Sequence, residues 1–205
     1  LWLGGLILVL IGIALKLGLA PFHMWVPDVY QGAPTPITTY IATVSKAALV
    51  ALLLRFAAEV GVLELPSVVH LFSLLAVVSM VTGNVLALLQ QNVKRLLAYS
   101  GIAQIGNVLI GLAAGTKMGN DAILFYLLAY LFANIGAFAV VIAVSQAIGR
   151  DEIEDYRGLG RRSPFLAFSM LLFLLSLAGV PPLAGFIGKL YIFVAAIKEG
   201  LYTLI

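Results

Sequence analysis

Long apolar runs separated by short polar links dominate this chain. Six runs can be drawn, and each is about 20 residues or longer, the length that crosses roughly 30 Å of hydrocarbon. The runs cover 1–30, 36–58, 66–89, 93–114, 122–148 and 164–198, with interruptions in the first and the last. Apolar residues do not alternate with a period of two, so the pattern predicts an all-α, multi-pass transmembrane bundle and not a β-barrel.

The composition indicates the same class of protein. Hydrophobic residues make up 62% of the 205 residues and charged residues only 10%, whereas a soluble domain is typically about 45–50% apolar and about 25% charged. The chain begins at Leu1 and ends at Ile205 inside apolar runs. We therefore expect a single transmembrane domain, 1–205, that is an internal fragment of a larger membrane domain with spans missing on both sides. The sequence has no cysteine, which excludes thiolate ligation of iron–sulfur clusters within it.

The links carry unequal numbers of basic residues on the two sides of the predicted bundle. Three basic residues belong to one side: Arg55, Lys117 and Lys198. Six belong to the other: Lys94, Arg95, Arg150, Arg157, Arg161 and Arg162. Because Lys and Arg are enriched in cytoplasmic loops, we expect the second side to face the cytoplasm, or the matrix in an organelle. The expected location is the inner (plasma) membrane of a bacterial cell.

Two runs contain prolines that should break the helix, because proline lacks the backbone N–H and clashes with the preceding turn. Pro21 interrupts the first run, and a short amphipathic helix over 22–30 should follow it. Pro181 and Pro182 should unwind a turn of the last run. Transporters use such breaks to build ion sites. The alternative is that the prolines only shape packing, which we favour less because each break has a lysine within about two turns.

Three lysines, Lys16, Lys46 and Lys189, lie within the apolar runs. Each costs about 2.5–3.5 kcal/mol at the centre of a membrane helix, and such residues commonly mark ion or proton pathways. The alternative is snorkelling, in which the ammonium reaches the headgroups. Snorkelling suits Lys198 at the end of its run. It does not suit Lys46, which lies ten residues after Pro36, about 15 Å into its helix. The pattern predicts a proton relay.

All nine acidic residues lie in links or at the ends of runs. Three buried cations without an anion are unfavourable at low dielectric, so we expect a counter-carboxylate from outside this sequence. His23, beside the first break, is a candidate for proton access from solvent. Polar side chains within the runs are candidates to carry water between the lysines, although helix packing is the commoner role of such groups. They are Thr38, Thr39, Thr43, Ser45, Asn84, Tyr99, Ser100, Gln104, Asn107, Tyr126, Tyr130 and Asn134.

Three stretches carry a family resemblance. They read LGLAPFHMWVPDVYQGAPTPITTYIATVSK, NVKRLLAYSGIAQIG, and YRGLGRRSP followed by SLAGVPPLAGFIGKLY. Together they resemble the proton-conducting membrane transporter family, which comprises the antiporter-like subunits of complex I (NADH-quinone oxidoreductase) and related cation/proton antiporters. The stretch PDVYQGAPTP is similar to the corresponding stretch in the subunit N branch of that family and differs from that in the L and M branches.

The resemblance implies an inverted-repeat fold in which the six runs are the seventh to twelfth of about fourteen spans. It implies that Lys16 is the central lysine of the first broken helix, that Lys46 is the lysine of the following helix, and that Lys189 is the lysine of the second broken helix. The implied partner of Lys16 is a glutamate on an upstream helix. The implied function is that of a translocase subunit that moves protons from Lys16 to Lys46 and through Lys189 to the outer side, coupled to quinone reduction elsewhere.

The resemblance also implies that this chain binds no cofactor or metal and holds no redox site. The complex would use NAD(H), FMN, iron–sulfur clusters and quinone in other subunits. The implied partners are antiporter-like subunit M, the small membrane subunits beside it and the lipid bilayer, with no nucleic acid. Two alternatives stay open: a subunit of a cation/proton antiporter or membrane-bound hydrogenase of the same fold, and a scaffold that only anchors other subunits.

Overall fold

The computed structural model describes residues 2–204, and the regular elements within that range are helical. The α-helices in chain order are α1 Trp2–Leu17, α2 Trp25–Gly32, α3 Thr35–Tyr40, α4 Lys46–Val60, α5 Pro66–Leu88, α6 Val93–Ala113, α7 Lys117–Ile148, α8 Leu159–Arg162, α9 Pro164–Ala178 and α10 Ala184–Lys198. A π-helical turn, Ile41–Ser45, joins α3 to α4. Short 3₁₀ turns lie at Val62–Glu64, Ile153–Tyr156 and Tyr202–Leu204.

Four of these stretches are long and apolar enough to cross a membrane: Thr35–Val60, Pro66–Leu88, Val93–Ala113 and Lys117–Ile148. The first and last predicted runs are each split into two shorter helices, so the prediction of an all-α bundle with two discontinuous spans is confirmed. The predicted start of the fifth run was wrong. The fifth run was expected to begin at Ala122, but α7 begins at Lys117 because the Thr116 hydroxyl caps the helix by accepting from the Gly119 N–H at 3.1 Å.

Helix α6 lies at the centre of the bundle, and most of its side chains are buried. It contacts α2, α5, α7 and α10. Helix α5 approaches it most closely, through two glycines. A Cβ atom on Gly83 would lie 2.6 Å from the backbone nitrogen of Ala103, and one on Gly106 would lie 2.9 Å from the Ala76 carbonyl oxygen. Small residues of this kind let membrane helices approach backbone to backbone.

The first helix break covers 18–24 and begins at Gly18, whose φ of 74° ends α1 in the left-handed region. Backbone groups released inside a membrane need partners from the protein or from water. Here the N–H of Ala20 donates to the Ser79 hydroxyl of α5 at 3.0 Å, and the Trp25 indole donates to the Leu15 carbonyl at 2.9 Å. The amphipathic helix after the break, expected over 22–30, is Trp25–Gly32.

The second break covers 179–183 and holds Pro181 and Pro182, as predicted. It also begins at a left-handed glycine, Gly179, with φ of 86°. The first turn of α10 lies directly against the last turn of α9. The approach is so close that a Cβ atom on Gly185 would collide with the Ser176 carbonyl. The two halves of the broken span therefore remain in contact across the unwound segment.

Charged residues connect the helices at one end of the bundle. We call this end the positive face; it comprises the segments 31–35, 89–92 and 149–163. Asn92 caps α6 by accepting from the N–H groups of Lys94 and Arg95. The ammonium of Lys94 lies 3.1 Å from the Asp151 carboxylate. The guanidinium of Arg95 lies 2.6 Å from the Asp28 carboxylate on α2. These contacts bring the links with six basic residues together at the same end of the bundle, as the count of basic residues predicted.

Candidate functional site

Lys46 is the most deeply buried of the three predicted relay lysines. Only 3% of its surface is exposed, and it lies near the middle of the stretch Thr35–Val60. Its Nζ atom has no hydrogen-bond partner among residues 2–204. It lies 5.9 Å from the ring centroid of Tyr30, within the range of a cation–π contact. The structure therefore contradicts the snorkelling alternative for Lys46.

A glycine of α6 makes room for this ammonium. A Cβ atom on Gly101 would lie 2.8 Å from the Lys46 Nζ and 3.2 Å from the Tyr130 hydroxyl. The lysine head and the tyrosine hydroxyl therefore share one small space beside the central helix. No pattern in the sequence assigned this role to Gly101, because the space is bounded by four separate helices.

The π turn Ile41–Ser45 leads directly into Lys46. Such turns are rare and are frequent at functional sites. The Tyr130 hydroxyl donates to the Ala42 carbonyl within this turn at 3.0 Å, and the Thr43 hydroxyl donates back to the Thr39 carbonyl at 2.6 Å. Tyr130 therefore stabilises the π turn that orients the Lys46 side chain. The π turn was not predicted from the sequence. The only local sign of it is the pair Thr39 and Thr43, whose hydroxyls compete for helix carbonyls.

Lys189 occupies a different setting. It is half-buried, and its ammonium donates to the carbonyls of Leu177 at 2.9 Å and Ala178 at 3.2 Å. These carbonyls end α9, where a helix leaves unpaired acceptors and the negative end of its dipole. The break thus supplies the acceptors for the ammonium without a carboxylate, and Lys189 folds back from α10 to reach them.

A line of polar groups leads from Lys189 to the central helix. The Gln104 side-chain amide donates to the same Leu177 carbonyl at 2.8 Å. The Tyr126 hydroxyl donates to the Gln104 side-chain oxygen, and Asn107 donates to that oxygen at 3.4 Å. Tyr126 is four residues before Tyr130 on α7, so the two side chains share one face of that helix. The polar groups that reach Lys189 and the Tyr130 hydroxyl beside Lys46 therefore lie on one face of α7.

Lys16 is exposed and is the penultimate residue of α1. Within residues 2–204, no carboxylate contacts Lys16, Lys46 or Lys189, because the ion pairs of that range lie at the positive face and between Arg55 and Glu59. The described contacts do not bring Lys16 into direct contact with the other two lysines. The expectation of a counter-carboxylate from outside the sequence stays a prediction.

His23 lies inside the first break and is buried, with both ring nitrogens lacking a hydrogen-bond partner among the described residues. Its ring meets the ring of Tyr99 edge to face at 6.4 Å between centroids. Tyr99 is four residues beyond Arg95 on α6, about 6 Å deeper than the Arg95–Asp28 pair. His23 therefore lies beside the part of α6 that borders Lys46, since Tyr99 is two residues before Gly101.

The comparisons with known proteins agree with this architecture. The family model of the NADH:quinone oxidoreductase/Mrp antiporter transmembrane proteins matches residues 1–205. The chain belongs to this family. It is 51% identical to NADH-quinone oxidoreductase subunit N 2 of Chloroherpeton thalassium, covering 96% of this chain and 40% of that protein. It is 52% identical to NAD(P)H-quinone oxidoreductase subunit 2 of Gloeobacter violaceus, covering 98% of this chain and 39% of that protein.

Solved structures give the same result. A chain of respiratory complex I from Thermus thermophilus with bound aureothin superposes with a TM-score of 0.81 at 45% identity, covering 94% of this chain and 42% of that one. A chain of the Mrp complex from Dietzia sp. DQ12-45-1b superposes with a TM-score of 0.86 at 24% identity, covering 96% and 37%, which shows a shared fold. The chain spans about two-fifths of the length of the curated relatives it matches. The antiporter-like membrane fold implied by the sequence is confirmed.

Within this antiporter-like segment, Gly101→Ala tests whether the space around Lys46 matters. If Lys46 carries protons, the expected result is a several-fold loss of proton translocation with normal assembly, since the added methyl group would lie 2.8 Å from the ammonium. The end of the Lys46 side chain is flexible and can move away from the added methyl group, so α4 and α6 need not separate. The Lys46 ammonium would then lose its position beside the Tyr130 hydroxyl. Proton uptake by vesicles that contain the whole complex is the measurement.

The matched control is Gly12→Ala in α1, where an added Cβ atom would meet no atom of the described residues within 4 Å. Alanine is also the better helix former by about 1 kcal/mol, so this variant should assemble and translocate as the unsubstituted complex does. Equal losses in Gly101→Ala and Gly12→Ala would show that the effect is not specific to Lys46.

Proposed function

We propose that this chain is part of the proton-translocating membrane subunit of a respiratory NADH:quinone oxidoreductase. Protons move through Lys16, Lys46 and Lys189 while quinone is reduced elsewhere in the complex. The observation that carries the proposal is the Lys46 ammonium, which is buried without a hydrogen-bond acceptor among residues 2–204. A cation in that position is costly, and it is useful where a proton must be taken up and released.

Each lysine has a distinct role in the proposal. Lys16 lies just before the first break and gives its proton to Lys46, as the family resemblance implies. Lys46 lacks an acceptor that would hold its proton, so it passes the proton on readily. Lys189 receives it through water and the groups between them, and the carbonyls of Leu177 and Ala178 stabilise its ammonium form. From Lys189 the proton leaves towards the outer side.

His23 is the proposed point of proton access to the first broken helix. A neutral imidazole can accept a proton on one nitrogen and donate from the other. The buried ring packs against Tyr99, two residues before the Gly101 that borders Lys46, and neither nitrogen is engaged by another described residue. A group with both nitrogens free of described partners can transfer protons from the positive face to the lysines.

The wider setting follows from the relatives and is part of the proposal. Those at about 50% identity carry the names of NADH-quinone or NAD(P)H-quinone oxidoreductase subunits. The chain would hold no cofactor, and NAD(H), FMN, iron–sulfur clusters and quinone would be bound by other subunits. Its neighbours would be antiporter-like subunit M and small membrane subunits, in the plasma membrane of a bacterium. The quinone-reductase names favour this reading over a cation/proton antiporter.

The test compares Lys16→Ala and Lys46→Ala in the assembled complex, in sealed vesicles, for quinone-linked proton uptake and for assembly. The proposal expects assembled complex with strongly reduced proton uptake in both variants. The matched control is Lys198→Ala, which removes an exposed lysine at the end of α10 and should change neither quantity. A scaffold without transport would instead lose assembly and keep proton uptake per assembled complex.

A further inference from the structure

The ring of Tyr30 faces the ammonium of Lys46. Tyr30 lies in α2, the half of the first broken helix that follows the break, and its side chain is completely buried. The Lys46 Nζ lies over the ring, 5.9 Å from its centroid. The negative face of an aromatic ring attracts a cation, most strongly where both are removed from water. None of the steps proposed above assigns a role to Tyr30.

The Tyr30 hydroxyl does not account for this placement. Neither the hydroxyl oxygen nor the Lys46 Nζ has a hydrogen-bond partner among residues 2–204, although both atoms are buried. A buried polar group without a partner costs free energy, so the described residues offer the hydroxyl no gain at this position. The described contact between Tyr30 and Lys46 is therefore made by the face of the ring.

The other elements around the Lys46 ammonium offer it less. Helix α6 presents Gly101, which has no side chain, and α7 presents the Tyr130 hydroxyl, whose proton is donated to a carbonyl of the π turn. His23 of the first break makes no described hydrogen bond to the lysine. Helix α1 packs against α4, but its Lys16 is exposed. Within residues 2–204, the ring of Tyr30 therefore supplies the attraction that favours the charged form.

Three contacts hold the Tyr30 ring in place. The Thr38 hydroxyl donates to the Tyr30 carbonyl at 3.0 Å. The Phe138 ring meets the Tyr30 ring edge to face, with 6.3 Å between centroids, which is a favoured arrangement of aromatic pairs. Two residues before Tyr30, Asp28 pairs with Arg95. These contacts connect α2 to α3, α6 and α7, so the ring has a defined position beside the ammonium.

We propose that Tyr30 is a positioning residue whose ring stabilises the protonated form of Lys46 and so sets how strongly this lysine holds its proton. The inference rests on the proposed function, because it assigns the uptake and release of a proton to the Lys46 Nζ. The attraction of the ring is smaller than the cost of burying the ammonium. Lys46 can therefore take up a proton beside Tyr30 and still release it.

The test varies the electron density of the ring at nearly constant shape. In the whole complex, Tyr30 is replaced with phenylalanine and with phenylalanine that carries one, two or three ring fluorines. Fluorine withdraws electron density from the face of the ring and changes its size little, so each fluorine weakens the attraction to a cation while the packing is kept. Proton uptake per quinone reduced is measured in sealed vesicles over a range of pH.

We expect Tyr30→Phe to keep the pH profile of the unsubstituted complex, because the ring face remains and no described hydrogen bond is lost. With each added fluorine, the alkaline limit of proton uptake should move to lower pH, since a less stabilised ammonium loses its proton sooner as the pH rises. The complete series should move this limit by about one pH unit, a tenfold change in proton affinity or about 1.4 kcal/mol. At acid pH, Lys46 is protonated in every variant, and uptake should be equal.

The matched control is Phe72 of α5, replaced with the same fluorinated residues. Phe72 is also a buried aromatic residue, but it packs in a different apolar cluster and contacts no cation among residues 2–204. Its series should leave the pH profile unchanged. A role of Tyr30 in packing alone predicts the same unchanged profile for the Tyr30 series.

A stepwise shift in the Tyr30 series that is absent from the Phe72 series supports the inference. An unchanged profile in the Tyr30 series, with proton uptake lost in Lys46→Ala, overturns the inference and leaves the proposed function standing. If Lys46→Ala translocates protons normally, the proposed function fails, and thermal unfolding of the complex then tests the contact itself. Fluorination of the ring should lower the unfolding midpoint when Lys46 is present and not in the Lys46→Met background, and equal effects in both overturn the contact.

Discussion

Replacing Lys46 with methionine is expected to stop proton translocation through this subunit and at the same time to make the subunit more stable. Methionine has nearly the length of lysine without the charge, so the packing around the π turn is preserved. A buried ammonium costs about 2.5–3.5 kcal/mol at the centre of a membrane helix. Because the Lys46 Nζ has no hydrogen-bond acceptor among residues 2–204, the substitution leaves no described group newly unpaired.

The expected loss of translocation through this subunit is about a hundredfold, the lower end of what a positioned acid–base group contributes. Two measurements on the same preparation test it: quinone-linked proton uptake by vesicles, and the midpoint of thermal unfolding in detergent. The midpoint should rise while the proton uptake falls. Few substitutions raise stability, since most destabilise by about 0.5–3 kcal/mol.

The control is Lys46→Arg, which keeps a cation that does not lose its proton in proteins. It should also stop translocation but without the gain in stability, because the buried charge remains. If the methionine variant translocates protons normally, Lys46 is not a relay residue. If the methionine variant is less stable than the unsubstituted subunit, the ammonium has a stabilising partner outside residues 2–204.

Asp151→Ala is expected to cost about 3 kcal/mol of stability, the second large effect. Its carboxylate pairs with Lys94 at 3.1 Å, and the two side chains are only 18% and 8% exposed. Removing one member of a buried pair typically costs about 3–5 kcal/mol, because the other charge stays buried and unpaired. The lower end applies here, since Lys94 retains a contact of 3.4 Å with the Ala33 carbonyl. Thermal unfolding of the purified complex measures the loss.

Two further variants separate burial from charge pairing. The double variant Lys94→Met with Asp151→Leu removes both charges and should recover most of the loss, since apolar replacements of a buried pair are often neutral. Asp28→Ala breaks the pair with Arg95, whose carboxylate partner is 74% exposed, and should cost about 0–1 kcal/mol after solvent screening. Equal losses in Asp28→Ala and Asp151→Ala would contradict the view that burial sets the difference.

The two pairs also connect parts of the molecule that the proposed mechanism uses. Arg95 holds α2, which follows the first break, and Lys94 holds the link that precedes the second broken span. Both residues belong to the first turn of α6, the helix that carries Gln104 and borders Lys46. The end of α6 at the positive face therefore positions both broken helices relative to the lysines.

The sequence by itself determined the elements of this fold that depend on local chemistry. The length of the apolar runs set the spans, because a helix must cover the hydrocarbon thickness with apolar residues. Pro21 and the Pro181–Pro182 pair marked both breaks, because proline disrupts a helix wherever it occurs in its interior. The depth of Lys46 followed from counting residues along a helix of fixed rise.

Only the tertiary structure decided how these elements form a site. The contact of Tyr130 with the Ala42 carbonyl joins residues 88 positions apart, and that of Gln104 with the Leu177 carbonyl joins residues 73 apart. The space at Gly101 is likewise bounded by helices that are distant in the chain. A hydropathy pattern fixes which residues lie in the membrane but not which faces meet, because every face of such a helix is apolar and the choice of partner depends on shape and on scattered hydrogen bonds.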